Sequence, residues 1–325
     1  MKTCIANSSA APFLSSCESA AANHVGTPTP SSREGSFSDP VGTAALSSRE
    51  GSFSDRVGTA ALGCPVERSS TAASSPTYTM GELMVATAAR EIRDGEIVFV
   101  GMRLPLIAFV VAKKTHAPNA VGLFENGVIR TTPAPSLIYT MADPPNILGA
   151  TQCLDMLGVM GLLQSGRVHL GFLGAAEVDR FGNLNSTEVR GPKGMTRLPG
   201  SGGACDIASL AHRFVVLLEH STRRLPEHVS FRTSPGNGDG AGWRERVGLP
   251  RGGPAAIITT KAVLRFRQDG EAYLASIHPG VDIEDVLENT GWKLRAAEAI
   301  EQTPHPSAEE LRAVREYDKE GFWTR

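Results

Sequence analysis

The chain has 325 residues, room for one large domain or two small ones, and only 41% are apolar because the amino-terminal stretch is polar. A formal net charge of −2 gives no electrostatic reason to expect nucleic acid or an anionic membrane surface as partner, and no apolar run reaches the ~20 residues of a membrane helix. The five cysteines (Cys4, Cys17, Cys64, Cys153, Cys205) are scattered without a C-x-x-C pair, which argues against a zinc site or disulfide framework and for a reducing cytoplasm.

Residues 1–77 are dominated by Ser, Ala, Gly, Thr and Pro and are expected to be a disordered extension, since few large apolar side chains offset the entropy of ordering. Within them SSREGSFSDPVGTAAL (31–46) is followed by SSREGSFSDRVGTAAL (47–62), a tandem repeat differing only at Pro40 and Arg56. Two copies are too few for a solenoid, and a duplication inside a disordered stretch is the simpler reading. The stretch 1–14 lacks the continuous apolar core of a secretory signal. The folded domain is expected over 78–325, with Met80 as the native start; a natural peptide from 31–62 would defeat that expectation.

Thr79 and Glu82 have capping-box spacing, and the apolar pattern predicts a helix over 83–93. Asp94-Gly95 ends it, and 96–100 reads as a buried strand. After the turn Gly101-Met102-Arg103-Leu104-Pro105, a helix is predicted over 106–114, with Lys113 and Lys114 suited to its carboxyl end. The next apolar run, Val121-Gly122-Leu123-Phe124, stops on Glu125, and Asn126-Gly127 follows at once. Asn and Gly tolerate positive φ, so the backbone can turn sharply there and leave one carboxylate at the carboxyl end of a strand, the edge where open α/β sheets bind ligands. This β–α–β order predicts parallel strands with crossover helices.

A helix over 155–163 is interrupted by Gly158 and by Gly161, which is expected to allow close approach to the sheet. A strand over 168–175 leads into Ala176-Glu177-Val178-Asp179-Arg180-Phe181-Gly182-Asn183-Leu184-Asn185, a strand, turn and return in which Asp179 and Asn185 are either site wall or structural turn, the turn being favoured. Gly200-Ser201-Gly202-Gly203-Ala204 opens a helix and would expose backbone N–H groups. It is neither a Walker loop nor a full dinucleotide fingerprint. Cys205 reads as a small buried residue and Asp206 as an early-helix acid. Strands follow at 213–218, 255–260, 262–266 and 273–277, with a flexible loop at 234–242 and a hairpin turn at Gln268-Asp269-Gly270. His278 is expected to be structural, 283–287 a short helix, and Ser307 with Glu310 a second capping box.

Glu125-Asn126-Gly127, the Gly200–Ala204 loop, the Gly101–Pro105 turn and the 176–185 segment together resemble the family I coenzyme A transferases, and 78–325 is similar to the B subunit of glutaconate CoA-transferase. Two positions depart from the family pattern: Phe124 stands for a Ser before the Glu, and Arg103 for the second glycine of Gly-x-Gly-x-Pro, where it either points into the site to bind a substrate carboxylate or points to solvent. The resemblance implies a three-layer α/β/α fold with an open, mostly parallel sheet. It implies ping-pong transfer of CoA through a glutamyl-CoA thioester on Glu125, with Asn126, Gly127, Gly101 and Arg103 as candidates for the oxyanion and acyl site. Gly200, Gly202, Gly203 and Ala204 would hold the CoA.

The implied partners are a separately encoded A subunit, an acyl-CoA and a small carboxylic acid, with neither nucleic acid nor membrane. No metal and no permanently bound cofactor are expected, CoA thioester being a substrate. The alternatives are a CoA-dependent hydrolase or ring-opening subunit on the same scaffold, against which Glu125 argues, and a non-catalytic subunit.

Overall fold

Thr79 opens the first helix as its sequence predicts. Its hydroxyl accepts the Glu82 N–H at 3.1 Å while the Glu82 carboxylate accepts the Thr79 N–H at 2.8 Å, satisfying two donors that a helix start leaves unpaired. In this computed structural model the described residues are 78–191, 194–249 and 251–325, all within the unit Thr71–Arg325. The expectations for 1–77 and the repeat inside it lie outside them.

Helix α1 (Met80–Ala89) ends earlier than predicted, and a turn through Arg90 joins it to β1 (Ile97–Phe99). Helix α2 (Leu104–Lys114) takes Pro105 into its first turn, where a missing N–H costs nothing, and crosses to β2 (Val121–Leu123). The chain then turns straight back as β3 (Val128–Arg130), a buried strand too short to show a pattern of its own in the sequence. Next come α3 (Pro144–Ile147), β4 (Gln152–Cys153), α4 (Met156–Gln164) and β5 (Leu170–Leu173). Two small hairpins follow, β6 (Glu177–Val178) with β7 (Leu184–Asn185) and β8 (Glu188–Gly191) with β9 (Gly194–Arg197). The remainder is α5 (Ala204–Leu210), β10 (Arg213–Leu218), α6 (Trp243–Arg246), β11 (Pro254–Thr259), β12 (Ala262–Phe266), β13 (Ala272–Ile277), α7 (Ile283–Glu288), β14 (Arg295–Gln302) and α8 (Ala308–Tyr317).

Ten strands form one sheet in the order β14-β13-β12-β11-β10-β5-β1-β2-β3-β4. Its centre, β2-β1-β5-β10-β11, is parallel throughout, as the β–α–β reading requires, while β3, β4, β12 and β13 add antiparallel margins. Alternation along each central strand feeds two cores. Val98, Val100 and Val215 face one, with α1, α2 and α8; Phe99, Phe214 and Val216 face the other, with α4, α5 and α7. Two sheet glycines set the spacing of these layers. A Cβ on Gly122 would lie 2.8 Å from the Phe109 ring of α2, and one on Gly171 would overlap Ile207 of α5.

Gly161 does not have the packing role assigned to it: it is exposed, with nothing within 4 Å of where a Cβ would stand. Nor is 234–242 loose, because the Asn183 amide oxygen accepts the N–H groups of Gly236 and Gly238, at 2.9 and 3.2 Å. From β1 the chain moves to β2 on one side, whereas β5 lies on the other. The carboxyl ends of β1 and β5 therefore border a crevice at a topological switch point.

Candidate active site

Glu125 occupies the four-residue connection, 124–127, between β2 and β3. The turn is closed by the Phe124 N–H on the Val128 carbonyl and the Gly127 N–H on the Phe124 carbonyl, both at 2.9 Å. Gly127 takes φ 100, and a Cβ there would overlap the Leu154 carbonyl, so two independent constraints require glycine. The Asn126 side-chain amide donates to the Met141 carbonyl at 2.7 Å, which fixes the turn against the following loop. This arrangement leaves Glu125 half-buried and aimed at the glycine loop.

The Gly203 N–H donates to the Glu125 carboxylate (Oε1) at 2.9 Å. Gly200 and Gly202 take φ 97 and 50, the bends that bring Gly203 to the head of α5. A Cβ on Gly203 would stand 3.1 Å from Oε1 of Glu125 and 2.6 Å from the Met160 methyl, so the carboxylate fits only because the loop is bare there. Among the described residues Glu125 has no cationic partner; this one backbone donor is its hydrogen bond. The two motifs singled out in sequence, Glu-Asn-Gly and the glycine loop, thus meet in space 78 residues apart.

A cavity of about 850 Å³, within the range of small-molecule sites, lies at the carboxyl ends of the central strands. Its walls come from the ends of β1, β5 and β10, from Gly101 and Arg103, and from Leu198 and Pro199 at the start of the glycine loop. Glu125 is not itself a lining residue; the loop joins cavity to carboxylate, Pro199 on one and Gly203 on the other. Phe322 and Trp323 also line it, carried there from the chain's last residues. Sequence reasoning missed both, the only signal being two aromatic residues in a polar tail.

The remaining candidates separate clearly. Asp179 and Asn185 are buried parts of a turn rather than cavity wall. The Asp179 carboxylate accepts the Phe181 and Asn183 N–H groups at 3.0 Å, and Asn185 donates to Glu177 at 2.7 Å. Burial raises the Asp179 pKa despite these bonds. His278 is buried between the Thr303 hydroxyl and the Thr259 carbonyl, at 2.9 and 2.8 Å, and burial lowers its pKa, as suits the structural role expected of it. Cys205 and Cys153 are free thiols, and Asp206 is exposed in the first turn of α5. Among the described residues no cluster of three His, Cys, Asp or Glu side chains could hold a metal ion.

Comparison with known proteins places this geometry in a family. A model described as Coenzyme A transferase matches residues 82–289. The B subunit of the 3-oxoadipate CoA-transferase of Pseudomonas knackmussii is 39% identical over 241 residues, which is 73% of this chain and 92% of that one. The crystal structure of glutaconate coenzyme A-transferase from Acidaminococcus fermentans superposes with a TM-score of 0.70 at 32% identity, covering 78% of this chain and 99% of that one. The decarboxylase AibA/AibB superposes with a TM-score of 0.66 at 28% identity, covering 75% and 97%.

Proposed function

The chain belongs to the coenzyme A transferase family, and from that premise we propose that it is the catalytic B subunit of an acyl-CoA:carboxylate CoA-transferase working through Glu125. It is a CoA-transferase acting as one subunit of a heteromer, with CoA thioester as substrate. A separately encoded A subunit is the partner. The apolar Met156 and Leu157 of α4 stand exposed one helix turn from Met160, beside the Glu125–Gly203 contact, where such a partner would exclude water. The substrates we infer are a dicarboxylic acid and its CoA thioester, by analogy with the 3-oxoadipate and glutaconate enzymes.

A Glu125 carboxylate oxygen attacks the thioester carbonyl, the C–S bond breaks, and a mixed anhydride forms as CoA thiolate leaves. The thiolate then attacks the glutamyl carbonyl. The anhydride C–O bond breaks, releasing the first acid as carboxylate and leaving CoA on Glu125. An incoming carboxylate runs the same steps backward. Each step passes through a tetrahedral oxyanion, and a fixed backbone donor stabilises it without reorganisation; one such donor is worth ~2.7–4 kcal/mol. The observation that carries this reading is the Gly203 N–H on the Glu125 carboxylate. When the thiolate adds to the glutamyl carbon, that oxygen becomes the oxyanion, with its donor already in contact.

A second reading, another reaction on the same scaffold, rests on the likeness to the AibA/AibB decarboxylase. Substituting Glu125→Ala in the complex with its A subunit separates the two. CoA exchange between succinyl-CoA and free acids is expected to fall at least a thousandfold. Retained exchange would remove Glu125 from the chemistry, and absence of exchange in the unsubstituted complex would favour the second reading.

A further inference from the structure

Arg103 is the one non-glycine residue among those described with a left-handed backbone, at φ 68 and ψ −126. Glycine adopts this region freely and any side chain is penalised there, so the chain carries an arginine where arginine is locally disfavoured. Its guanidinium sits over the Trp323 ring, 5.2 Å from the centroid. Trp323 is held for that contact. Its backbone N–H donates to the buried Asp318 carboxylate at 2.9 Å, its indole N–H to the Ile138 carbonyl at 3.4 Å, and Phe322 meets its ring edge-on.

Some arginines of the fold are neutralised by carboxylates, Arg90 by Glu310 at 2.7 Å and Arg213 by Glu96 at 2.8 Å, and others, such as Arg130 and Arg244, donate to backbone carbonyls. Among the described residues no carboxylate pairs with Arg103, which is exposed and lines the cavity. The wall also carries Arg224 and Glu219, paired at 3.5 Å, so one positive charge is left over. Phe172 and Leu173 supply apolar surface beside it, suited to a short methylene chain. The Arg103 turn and the Glu125 turn follow adjacent parallel strands, tied by the Val100 N–H on the Leu123 carbonyl at 2.8 Å.

We propose that Arg103 determines acid specificity, its guanidinium receiving the free carboxylate of a dicarboxylic acid whose other end reacts at Glu125. The inference rests on the transferase reading of Glu125 and names the group that selects its substrate. Trp323 presents the guanidinium from behind, leaving its N–H fork for a planar carboxylate. CoA phosphates could bind the same group, and the test distinguishes these two sources.

The complex with its A subunit is assayed for exchange of labelled succinate into succinyl-CoA and of labelled butyrate into butyryl-CoA. The two acids match in chain length and differ in the second carboxylate. Arg103→Gly suits the backbone and should not lower the unfolding midpoint. The ratio of kcat/KM for succinate over butyrate is expected to fall at least tenfold in this variant, chiefly through KM, and to recover in part in Arg103→Lys. An unchanged ratio overturns the proposal, whether both exchanges fall together, which would assign Arg103 to the phosphates that both thioesters carry, or neither moves. Absence of both exchanges in the unsubstituted complex would instead defeat the transferase reading, and this proposal with it.

Discussion

Glu125, the nucleophile proposed above, is given little room. It is gripped by one N–H, on a glycine whose missing side chain leaves space for both the carboxylate and the Met160 methyl. Adding a single methyl group there tests that fit. Gly203→Ala places a Cβ 3.1 Å from the carboxylate oxygen and 2.6 Å from Met160, while the φ of −80 at this position suits alanine. The folded state should survive, with the carboxylate displaced. We expect kcat to fall about 10–100-fold, that is ~1.4–2.7 kcal/mol of transition-state stabilisation, with the unfolding midpoint little changed. Unchanged kcat would show that this donor is not used.

At this scale the sequence was partly legible. Glu125 stood out because Asn126-Gly127 demands a turn, and Gly203 because the glycine cluster demands close approach. Their mutual contact was not legible, since nothing local couples residues 78 positions apart. Trp323 was hidden for the same reason: its place over Arg103 is set by Asp318, whose carboxylate gathers the N–H groups of Phe322, Trp323 and Thr324.

The elements divide by how they are specified. Both capping boxes were legible, and each does more than start its helix: Glu82 of the first pairs with Arg315 at 2.7 Å, and Glu310 of the second with Arg90 at 2.7 Å, so α1 and α8 clasp one another reciprocally. The buried parallel strands were legible as apolar runs. The β6–β7 hairpin was legible as a strand, turn and return, but strands β3, β4, β8 and β9 were not, because segments of two to four residues are defined by partners rather than by pattern. Strand β14 reads RAAEAIEQ, a helix-like composition, and is extended only because β13 pairs with it.

Packing between elements also predicts acid sensitivity. His220, just beyond β10, is buried against the Thr259 hydroxyl at 2.8 Å, the Thr290 hydroxyl at 3.1 Å and the Val286 carbonyl at 3.2 Å. Burial pushes its pKa down to about 4, with Lys261 and His278 adding to the effect and the Val286 carbonyl and Asp285 opposing it. Below pH 6.5 the unfolded chain binds a proton that the folded chain refuses until about pH 4. Stability is therefore full above 6.5 and lost as pH falls toward 4, by about 3 kcal/mol from this residue. Denaturant titrations across this window should show that loss, and His220→Asn should flatten it. An equal slope in the variant would exclude His220 as its source.

At the scale of the described domain, a three-layer sandwich places a crevice at the switch between β1 and β5, and the chain's family is that of the coenzyme A transferases, whose chemistry is proposed for it above. Among the described residues no helix is long and apolar enough to cross a membrane. The exposed apolar residues Met156 and Leu157 are the surface proposed above for the second subunit. Parallel strands with crossover helices were legible in the β–α–β order, and the three-layer arrangement came from the family resemblance. The cavity was not legible, because its walls join segments from 84 to 323 that only the closed sheet brings together.

The most direct measurement is made on the complex of this chain with its A subunit. It is incubated with succinyl-CoA, quenched with hydroxylamine and digested, and the modified peptides are read by mass spectrometry. The account predicts a hydroxamate on Glu125, formed only when the thioester was present and absent from Glu125→Ala. Turnover of the thioester with Glu125 unmodified, or with the adduct on another residue, would contradict it.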